Sequence, residues 1–503
     1  MKRICILEDS LKILLINPES KQTVNYFPTG LCYLSSYIKK FSVRKTDIKI
    51  HNSDEFEAKS LIEFIPDIIG ISSFTHNFHT SVNLSRYFRT ALPDSLILLG
   101  GCHISVLPES LDGEFDYAVI GEGEHTFLDI INNYSKNSKS TLENIPGISP
   151  RNNSNVIQMK NDVGSLTIGD VQHLTDVGNL INRRGLIKDL DTIPFPDRES
   201  IEDVEHIIKA EHPGWFGKTG LRSMQLTTSR GCPYKCIFCQ PSVMWEKYRM
   251  NSPAYIADEI EYIHKKFAIN AILIEDDLFT GSKKRVIELV ELLGKKDLLG
   301  KIIYYIAGRT SQIDEQWAEI LKSLGVFKVE FGIESGSDKV AQYLKTGKTS
   351  TDVNKRAISI LNAYGIGVFA SFIAGAPIET KEDLNETRNM IKWIKKNHSA
   401  NTCGLGIATP LPATGLWDYA VSEGLIDLKN IQWSKLSVLK NFPKRPDEFI
   451  HLNKNMPADY LLNEIKKINF YLKLGTPSEF IKAIPRRVNK LLKRILKRII
   501  SFF

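Results

Sequence analysis

Three cysteines cluster in one short loop of a 503-residue chain that has only seven cysteines. Cys232, Cys236 and Cys239 lie in a segment where Gly231 and Pro233 disfavour regular secondary structure. Thiolates at this spacing can converge on one metal centre. Three ligands without a fourth favour a cubic 4Fe-4S cluster in which one iron stays open to a substrate.

Zinc is the alternative ligand for this loop. Structural zinc usually takes four ligands and combines a short cysteine pair with a second pair elsewhere. No nearby histidine pair could complete a tetrahedron, and the remaining cysteines are isolated from one another: Cys5, Cys32, Cys102 and Cys403. The cluster is therefore the favoured interpretation.

The segments around the cysteine loop alternate strand-like and helix-like patterns. A strand pattern over Met224–Arg230 runs directly into the loop. Five more strands are predicted after it: Ala271–Ile274, Ile302–Ala307, Lys328–Phe331, Gly367–Phe372 and Thr402–Ile407. The helices predicted between them are Pro253–Lys266, Lys283–Leu293, Asp314–Leu324, Thr351–Ala363 and Lys381–Lys395. Six such units predict a partial (β/α)6 version of the TIM-type barrel.

Polar and small residues follow several of these strands, where barrel enzymes carry their chemistry. Glu275 and Asp276 follow the second strand, Arg309 the third, Glu334 the fourth and Gly375 the fifth. Such a rim suits a zwitterionic nucleoside. Each residue alone could instead form a turn or a helix cap, which is the interpretation we favour for Asp277 and Ser337.

The first third of the chain predicts a doubly wound parallel sheet, a Rossmann-like α/β domain. Its predicted strands are Ile13–Ile16, Ile48–His51, Ile68–Ser72, Leu96–Leu99 and Tyr117–Ile120. Such sheets bind ligands at the carboxyl ends of their strands. The residues at those ends are mostly small: Ser72, Ser73, Gly100, Gly101, Gly121 and Glu122. They would let a large ligand approach the backbone, although ordinary tight turns are the alternative.

The spacing Cys-x-x-x-Cys-x-x-Cys, with the aromatic Phe238 before the last cysteine, resembles the signature of the radical S-adenosylmethionine superfamily. Phe238 could equally pack under the loop. The resemblance implies that S-adenosylmethionine chelates the open iron and is cleaved by an electron from the cluster to a 5′-deoxyadenosyl radical.

The same resemblance implies roles for the rim residues. Glu275 and Asp276 would contact the methionine amino group, and Arg309 and Glu334 the ribose or the carboxylate. Gly375 belongs to the run where backbone meets adenine. The chain departs from the family pattern because no Gly-Gly-Glu follows the second strand.

The N-terminal sheet is similar to cobalamin-binding domains, in which a Gly-Gly pair follows a serine. Here Gly100 follows Ser73 by 27 positions, and Gly121-Glu122-Gly123-Glu124 continues the likeness to the cobalamin-dependent subgroup of radical enzymes. Domains that use a histidine as lower cobalt ligand carry Asp-x-His-x-x-Gly after the first strand. Residues 17–22 stand at that position in this chain and include no histidine. The lower face of the cobalt is therefore expected to be unligated by that route. A domain that retains the fold and binds nothing is the alternative.

These features predict a cobalamin-binding domain over 12–135, a connector over 136–200, a radical S-adenosylmethionine barrel over 215–435 and a helical region over 436–503. The resemblance implies methylation of an unactivated carbon of a small or lipid-like substrate, with a reductant such as flavodoxin or ferredoxin. Cyclisation, oxidation or rearrangement without methyl transfer is the alternative function. A non-catalytic cofactor sensor is disfavoured because the cysteines and the rim acids are present.

Charge along the chain bears on partners and location. The net charge is +7, but eight basic residues and no acidic one lie between Ile481 and Phe503, so the rest is nearly neutral and predicts no nucleic-acid partner. The scattered cysteines predict the cytoplasm. Residues 484–503 are typical of a basic amphipathic helix that contacts anionic lipid at the inner face of a membrane. The alternative is a helix packed on the barrel.

Overall fold

The structure is a computed structural model of the whole chain. It describes residues 10–19, 27–54, 57–136, 139–150, 183–209, 220–245, 247–347, 349–436 and 442–474. The chain divides into two compact units. The first comprises Met1–Ile306 with Pro410–Ser437, and the second comprises Ala307–Thr409 with Val438–Phe503.

The N-terminal part of the first unit is the expected doubly wound sheet. Its strands are β1 (Leu11–Asn17), β2 (Thr46–Asn52), β3 (Ile68–Ser72), β4 (Leu96–Gly100), β5 (Tyr117–Val119) and β6 (Ile148–Pro150), in the order β2-β1-β3-β4-β5-β6. The first five are parallel, and β6 pairs antiparallel with β5. The helices are α1 (Thr29–Phe41), α2 (Phe78–Ala91), α3 (Cys102–Val106) and α4 (Gly123–Asn133). Leu96–Leu99 is buried on both faces, as a parallel strand covered by helices requires.

The same unit continues into the first strands of the barrel. Its elements are α5 (Val204–Lys209), β7 (Ser223–Leu226), β8 (Ser229–Arg230), α6 (Pro241–Met244), β9 (Arg249–Met250), α7 (Pro253–Phe267), β10 (Ala271–Ile274), α8 (Lys283–Lys295) and β11 (Ile303–Gly308). Strand β10 pairs parallel with both β7 and β11. The segment Pro410–Ser437 adds a helix over Gly415–Ser422.

The second unit carries the remaining barrel strands. Its elements are α9 (Glu315–Leu324), β12 (Val326–Glu334), α10 (Asp338–Lys345), α11 (Thr351–Ala363), β13 (Gly367–Ala374), α12 (Lys381–Asn397), β14 (Thr402–Ile407) and α13 (Ala458–Leu474). Strand β13 pairs parallel with β12 and β14. Local sequence sets the helix starts, because side chains accept hydrogen bonds from the first turns of α7, α8, α9, α11 and α12: Ser252, Ser282, Asp314, Ser350 and Thr380.

The six predicted barrel strands are all present, which confirms the predicted fold class. One boundary was wrong, since the expected strand Met224–Arg230 is interrupted after Leu226. The carboxylate of Asp276 takes the backbone N–H of Thr228 at 2.6 Å and that of Ser229 at 3.0 Å, and these amides therefore leave the strand ladder.

No helix within the described ranges combines the length and the apolar character that crossing a bilayer requires. The predicted amphipathic helix at 484–503 and most of the predicted connector lie outside the described residues. The predicted domain boundaries stay predictions.

Candidate active site

The cysteine loop follows β8 and is half-buried at all three cysteines. The backbone N–H of Cys239 donates to the carbonyl of Cys236 at 3.1 Å. Burial raises the pKa of the Cys239 thiol to about 12, and the nearby thiols of Cys236 and Cys232 act in the same direction. These three sulfur atoms therefore share one neighbourhood.

Gly231, which opens the loop, is required by its backbone and by its surroundings. Its φ is +90°, and a Cβ at this position would stand 2.8 Å from the carbonyl oxygen of Lys247 and 2.9 Å from the Cβ of Trp245. Its N–H donates to the carboxylate of Asp277 at 3.1 Å. Asp277 lies at a bend after β10, as the turn interpretation predicts, and its carboxylate fixes the entry of the cysteine loop.

Asp276 is buried behind the cysteine loop. Besides the amides of Thr228 and Ser229, it accepts the hydroxyl of Thr228 at 2.5 Å, and the guanidinium of Arg285 stands 3.6 Å away. A carboxylate with these partners aligns the strand that leads into the loop. Its predicted contact with the methionine amino group stays a prediction.

Glu275 has a different environment from its neighbour. Its side chain is exposed to solvent, although protein groups surround it closely. Desolvation, with a smaller contribution from the charge of Asp276, raises its pKa to about 7. A cationic ligand beside Glu275 would stabilise the charged carboxylate and so lower its pKa again.

The donor set of the loop fits an iron-sulfur cluster. In the described part of the chain, no three His, Cys, Asp or Glu side chains are arranged to hold a single metal ion. A 4Fe-4S cluster is larger than an ion, and its ligands stand at separate corners of a cube. Three sulfur donors in one half-buried loop are the ligands that such a cluster takes.

The other predicted rim residues lie in the second unit. Glu334 ends β12 with a φ of +66°, a conformation that a glutamate rarely adopts without a functional reason. Burial raises its pKa to about 7, and the cations of Lys345 and Arg309 oppose that shift. Gly375 has a φ of +87° and donates its N–H to the buried carboxyl of Glu379 at 2.5 Å. The structure thus brings Arg309 and Glu334 together in this unit.

Ser73 and Gly101 join the carboxyl ends of β3 and β4. The hydroxyl of Ser73 donates to the carbonyl of Gly100 at 2.9 Å. Gly101 has a φ of +97°, and a Cβ there would stand 2.5 Å from the carbonyl oxygen of Ser73 and 3.0 Å from the hydroxyl of Ser72. Gly101 is therefore required by the fold itself.

Gly100 has no such requirement. Its φ is not positive, and a Cβ at this position would meet no atom of the described residues within 4 Å. A Cβ at Gly121 would also meet nothing, although its φ of +79° favours glycine. The carboxyl edge of the sheet therefore has open space beside bare backbone, the kind of surface that a large ligand such as a corrin can approach.

Glu122 connects this edge to the cysteine loop. Its carboxylate is buried and accepts from Arg230 at 2.6 Å, from Arg249 at 2.8 Å and from the backbone N–H of Ile187 at 2.7 Å. Arg230 also pairs with Glu124 at 2.6 Å. Glu122, Glu124, Arg230 and Arg249 form what we call the arginine–glutamate network. The carboxylate of Glu122 is thus committed to protein partners, and its predicted contact with cobalamin stays a prediction.

His103 lies at the same edge but is part of the core. Its Nδ1 is 3.1 Å from the hydroxyl of Thr75 and its Nε2 is 3.0 Å from that of Ser110. Burial lowers its pKa to about 3, so the ring is neutral. With both nitrogens engaged, this histidine is not positioned to bind a metal.

Comparisons with known proteins agree with this geometry. A model of the B12 binding domain matches residues 21–131, and a model of the radical SAM superfamily matches residues 226–391. Both predicted cofactor domains are therefore present in one chain. The chain belongs to the cobalamin-dependent radical S-adenosylmethionine enzymes. As such an enzyme it uses a 4Fe-4S cluster, S-adenosylmethionine and cobalamin.

This radical enzyme has relatives of more than one activity. It is 27% identical to an uncharacterized methyltransferase of Pyrococcus horikoshii, over 98% of this chain and 99% of that protein. It is 25% identical to the anaerobic magnesium-protoporphyrin IX monomethyl ester cyclase of Cereibacter sphaeroides, over 78% of this chain and 60% of that protein. The structure of the cobalamin-dependent S-adenosylmethionine radical enzyme OxsB shares its fold, with a TM-score of 0.65 and 18% identity over 98% of this chain and 71% of that chain.

Several residues of this enzyme's site have no signal in the sequence. Arg249 and Glu124 belong to no recognisable motif, and Arg230 could be noticed only because it precedes the cysteine loop. The partnership of Glu122 with Arg230 spans 108 positions. Only the folded chain shows it.

Proposed function

We propose that this enzyme transfers a methyl group to an unactivated carbon of a small or lipid-like substrate. The observation that carries the proposal is the arginine–glutamate network, which ties the loop after β5, at the cobalamin edge, to the strand that enters the cysteine loop. Such a connection serves an enzyme whose two cofactors act on one substrate. The methyltransferase relative, which aligns over nearly the whole chain, supports the same function.

When bound, the cluster supplies the electron that cleaves S-adenosylmethionine, and cobalamin supplies a carrier for the methyl group. The residues of the chain have the remaining tasks. Cys232, Cys236 and Cys239 would hold the cluster, and the carboxyl of Glu275 would receive the amino group of S-adenosylmethionine. Gly100 would admit the corrin.

The form of the cysteine loop would be held by two adjacent carboxylates, the buried Asp276 and the exposed Asp277. Asp277 accepts the N–H of Gly231, and Asp276 accepts the hydroxyl of Thr228. Preorganisation of this kind places two reacting groups at a fixed separation.

Cyclisation without methyl transfer is the second candidate. The observation in its favour is the cyclase relative, which covers 78% of this chain. Both activities would use the same cofactor residues. Only the fate of S-adenosylmethionine separates them.

The test is to incubate the anaerobically reconstituted enzyme with cobalamin, a strong chemical reductant and S-adenosylmethionine labelled in its methyl group. Methyl transfer predicts S-adenosylhomocysteine together with label recovered on the corrin, before any carbon substrate is added. Formation of 5′-deoxyadenosine without S-adenosylhomocysteine would refute methyl transfer. Gly100→Ala, which would obstruct corrin binding, is the matched control and should form little S-adenosylhomocysteine.

The electron would come from a flavodoxin- or ferredoxin-type protein, since radical S-adenosylmethionine enzymes use external reductants and small-molecule substrates. A lipid substrate would fit contact of residues 484–503 with the inner face of a membrane. Deletion of residues 486–503 tests that contact by co-sedimentation with anionic liposomes, and unchanged binding would refute it.

A further inference from the structure

The loop that follows β13 is held at its N–H groups by its own glutamate. Residues 375–379, which we call the β13–α12 loop, begin with the glycine that is predicted to lie where backbone meets adenine. The carboxyl of Glu379 accepts the N–H of Gly375 at 2.5 Å and a backbone hydrogen bond from Ala376. Glu379 therefore binds the donor groups of the loop and leaves its carbonyl groups to other partners.

Asn453, far along the chain, binds the carbonyl groups of the same loop. Its Nδ2 donates to the carbonyl of Ala376 at 2.6 Å and to that of Glu379 at 2.8 Å. Its Oδ1 accepts the N–H of Asn455 at 2.9 Å and that of Met456 at 2.8 Å. A primary amide has two N–H donors and two acceptor lone pairs, and Asn453 uses all four. The residue is 3% exposed, so these bonds are shielded from competing water.

The segment around Asn453 has its own attachments within the second unit. It leads into α13, and Leu461 of that helix packs on Gly375, because a Cβ at the glycine would stand 2.7 Å from the Cδ2 of the leucine. Further along, Arg388 of α12 pairs with Glu464 of α13. Asn453 therefore connects the β13–α12 loop to a segment whose place does not depend on this one amide.

The two carbonyls that Asn453 binds each have a second partner. The carbonyl of Ala376 also accepts the N–H of Glu379 at 3.0 Å, and the carbonyl of Glu379 also accepts the side-chain amide of Asn455 at 3.2 Å. Loss of the Asn453 amide thus leaves neither carbonyl unpaired, which favours a folded variant. The loop would lose its link to the segment before α13 and could adopt other conformations.

We propose that Asn453 is a positioning residue for S-adenosylmethionine, because it fixes the β13–α12 loop in the form that receives the adenine. A ligand that binds to an ordered loop does not have to offset the entropy of ordering it. Loss of Asn453 should therefore weaken the binding of S-adenosylmethionine without changing the reaction of the bound molecule. The inference rests on the predicted contact between this loop and adenine, and it does not depend on methyl transfer.

The test measures formation of 5′-deoxyadenosine by the reconstituted holoenzyme at increasing S-adenosylmethionine, with a strong chemical reductant and no carbon substrate. Asn453→Ala should raise the KM for S-adenosylmethionine about tenfold and leave kcat unchanged, as expected when uniform binding is lost. Asn397→Ala is the matched control and should retain the wild-type KM. Its side chain also donates to a backbone carbonyl, that of Trp393 at 2.7 Å, but it lies at the far end of α12.

A milder variant keeps the test decisive if Asn453→Ala fails to fold. Asn455 is exposed, and its side chain binds the same carbonyl of Glu379. Asn455→Ala should raise the KM in the same direction by a smaller factor. A wild-type KM in Asn453→Ala, or a lower kcat at an unchanged KM, would overturn the proposal. If that variant does not fold, a wild-type KM in Asn455→Ala would overturn it.

Hydrogen exchange supplies a readout that a merely structural role would not give. Without S-adenosylmethionine, the amides of residues 375–379 should exchange faster in Asn453→Ala holoenzyme than in the wild type, and saturating S-adenosylmethionine should remove the difference. Faster exchange throughout the second unit, or a difference that S-adenosylmethionine leaves in place, would indicate general destabilisation and overturn the proposal. Failure of methyl transfer alone would change neither result, because both measurements are made without a carbon substrate.

Discussion

The carboxylate of Glu122 and the guanidinium of Arg230 meet at 2.6 Å in a buried ion pair. Glu122 follows Gly121 at the carboxyl edge of the N-terminal sheet, and Arg230 immediately precedes the cysteine loop. Arg249 occupies the second oxygen of Glu122, and Glu124 occupies the second terminal nitrogen of Arg230. The two cofactor loops of the first unit are therefore connected through charges that are almost completely removed from water.

The Glu122→Gln substitution should destabilise the enzyme. Removing one charge from a buried network leaves its partners uncompensated, which typically costs about 3 kcal/mol. We expect a lower Tm for Glu122→Gln by differential scanning fluorimetry and a lower iron content after reconstitution. Glu205→Gln is the control, because Glu205 pairs with Arg222 at the surface, where such pairs contribute little. Equal Tm values for the two variants would contradict a structural role for the network.

Adjacent glycines at the sheet edge should respond differently to alanine. Gly100→Ala should leave the Tm of the cobalamin-free protein unchanged, because an added Cβ meets no atom in the part of the chain that the structure describes, but should weaken cobalamin binding in an absorbance titration. Gly101→Ala should lower the Tm, since a φ of +97° and a Cβ at 2.5 Å from a carbonyl oxygen both disfavour alanine. Normal cobalamin affinity in Gly100→Ala would show that the corrin does not occupy this space.

Neighbouring carboxyls after β10 should have separable roles. Glu275→Gln should weaken S-adenosylmethionine binding about tenfold, or about 1.4 kcal/mol, and leave cluster content unchanged, because it removes one charged contact to a ligand. Asp276→Asn should instead reduce cluster content, since it disturbs Thr228 and Ser229 before the cysteine loop. Iron analysis and a titration of the cluster signal with S-adenosylmethionine measure the two effects. Reversal of the two phenotypes would refute the assignment.

Glu379 should make the stability of the apoprotein depend on pH. Burial raises its pKa to about 7 from an ordinary 4.5. Between pH 4.5 and about 7, the folded state thus retains a proton that the unfolded state releases. The contribution of the protonated Glu379 to the free energy of unfolding is complete below pH 4.5 and is lost as the pH rises to about 7. Glu379→Gln should flatten the fall in Tm over that interval. Glu382→Gln, on the exposed first turn of α12, should retain the wild-type profile; an unaltered profile in Glu379→Gln would contradict the buried acid.

Much of the fold could be predicted because it depends on local patterns. Apolar runs and helical periodicity placed the five parallel strands of the N-terminal sheet and the six barrel strands within a few residues of their observed bounds. The cysteine spacing and the small residues after the strands led to the cofactor domains that the family models match. These features need only neighbouring residues to be recognised.

Other features depend on contacts between distant residues. The interruption of the strand at Thr227 results from Asp276, a carboxylate nearly fifty positions later. Helix α10 was missed because it is short and follows a glutamate in a left-handed conformation. Likewise, only the pairing of β1 with β3 places His76 beside Glu19.

The central claim is that Cys232, Cys236 and Cys239 hold a cluster that binds S-adenosylmethionine. Its most direct test is electron paramagnetic resonance of the reconstituted, dithionite-reduced protein before and after addition of S-adenosylmethionine. The wild type and Cys403→Ala, the matched control at a half-buried cysteine of β14, should show a reduced 4Fe-4S signal that changes on addition. The triple variant Cys232→Ala/Cys236→Ala/Cys239→Ala should show none. A signal that survives in the triple variant, or a wild-type signal that S-adenosylmethionine leaves unchanged, would contradict the claim.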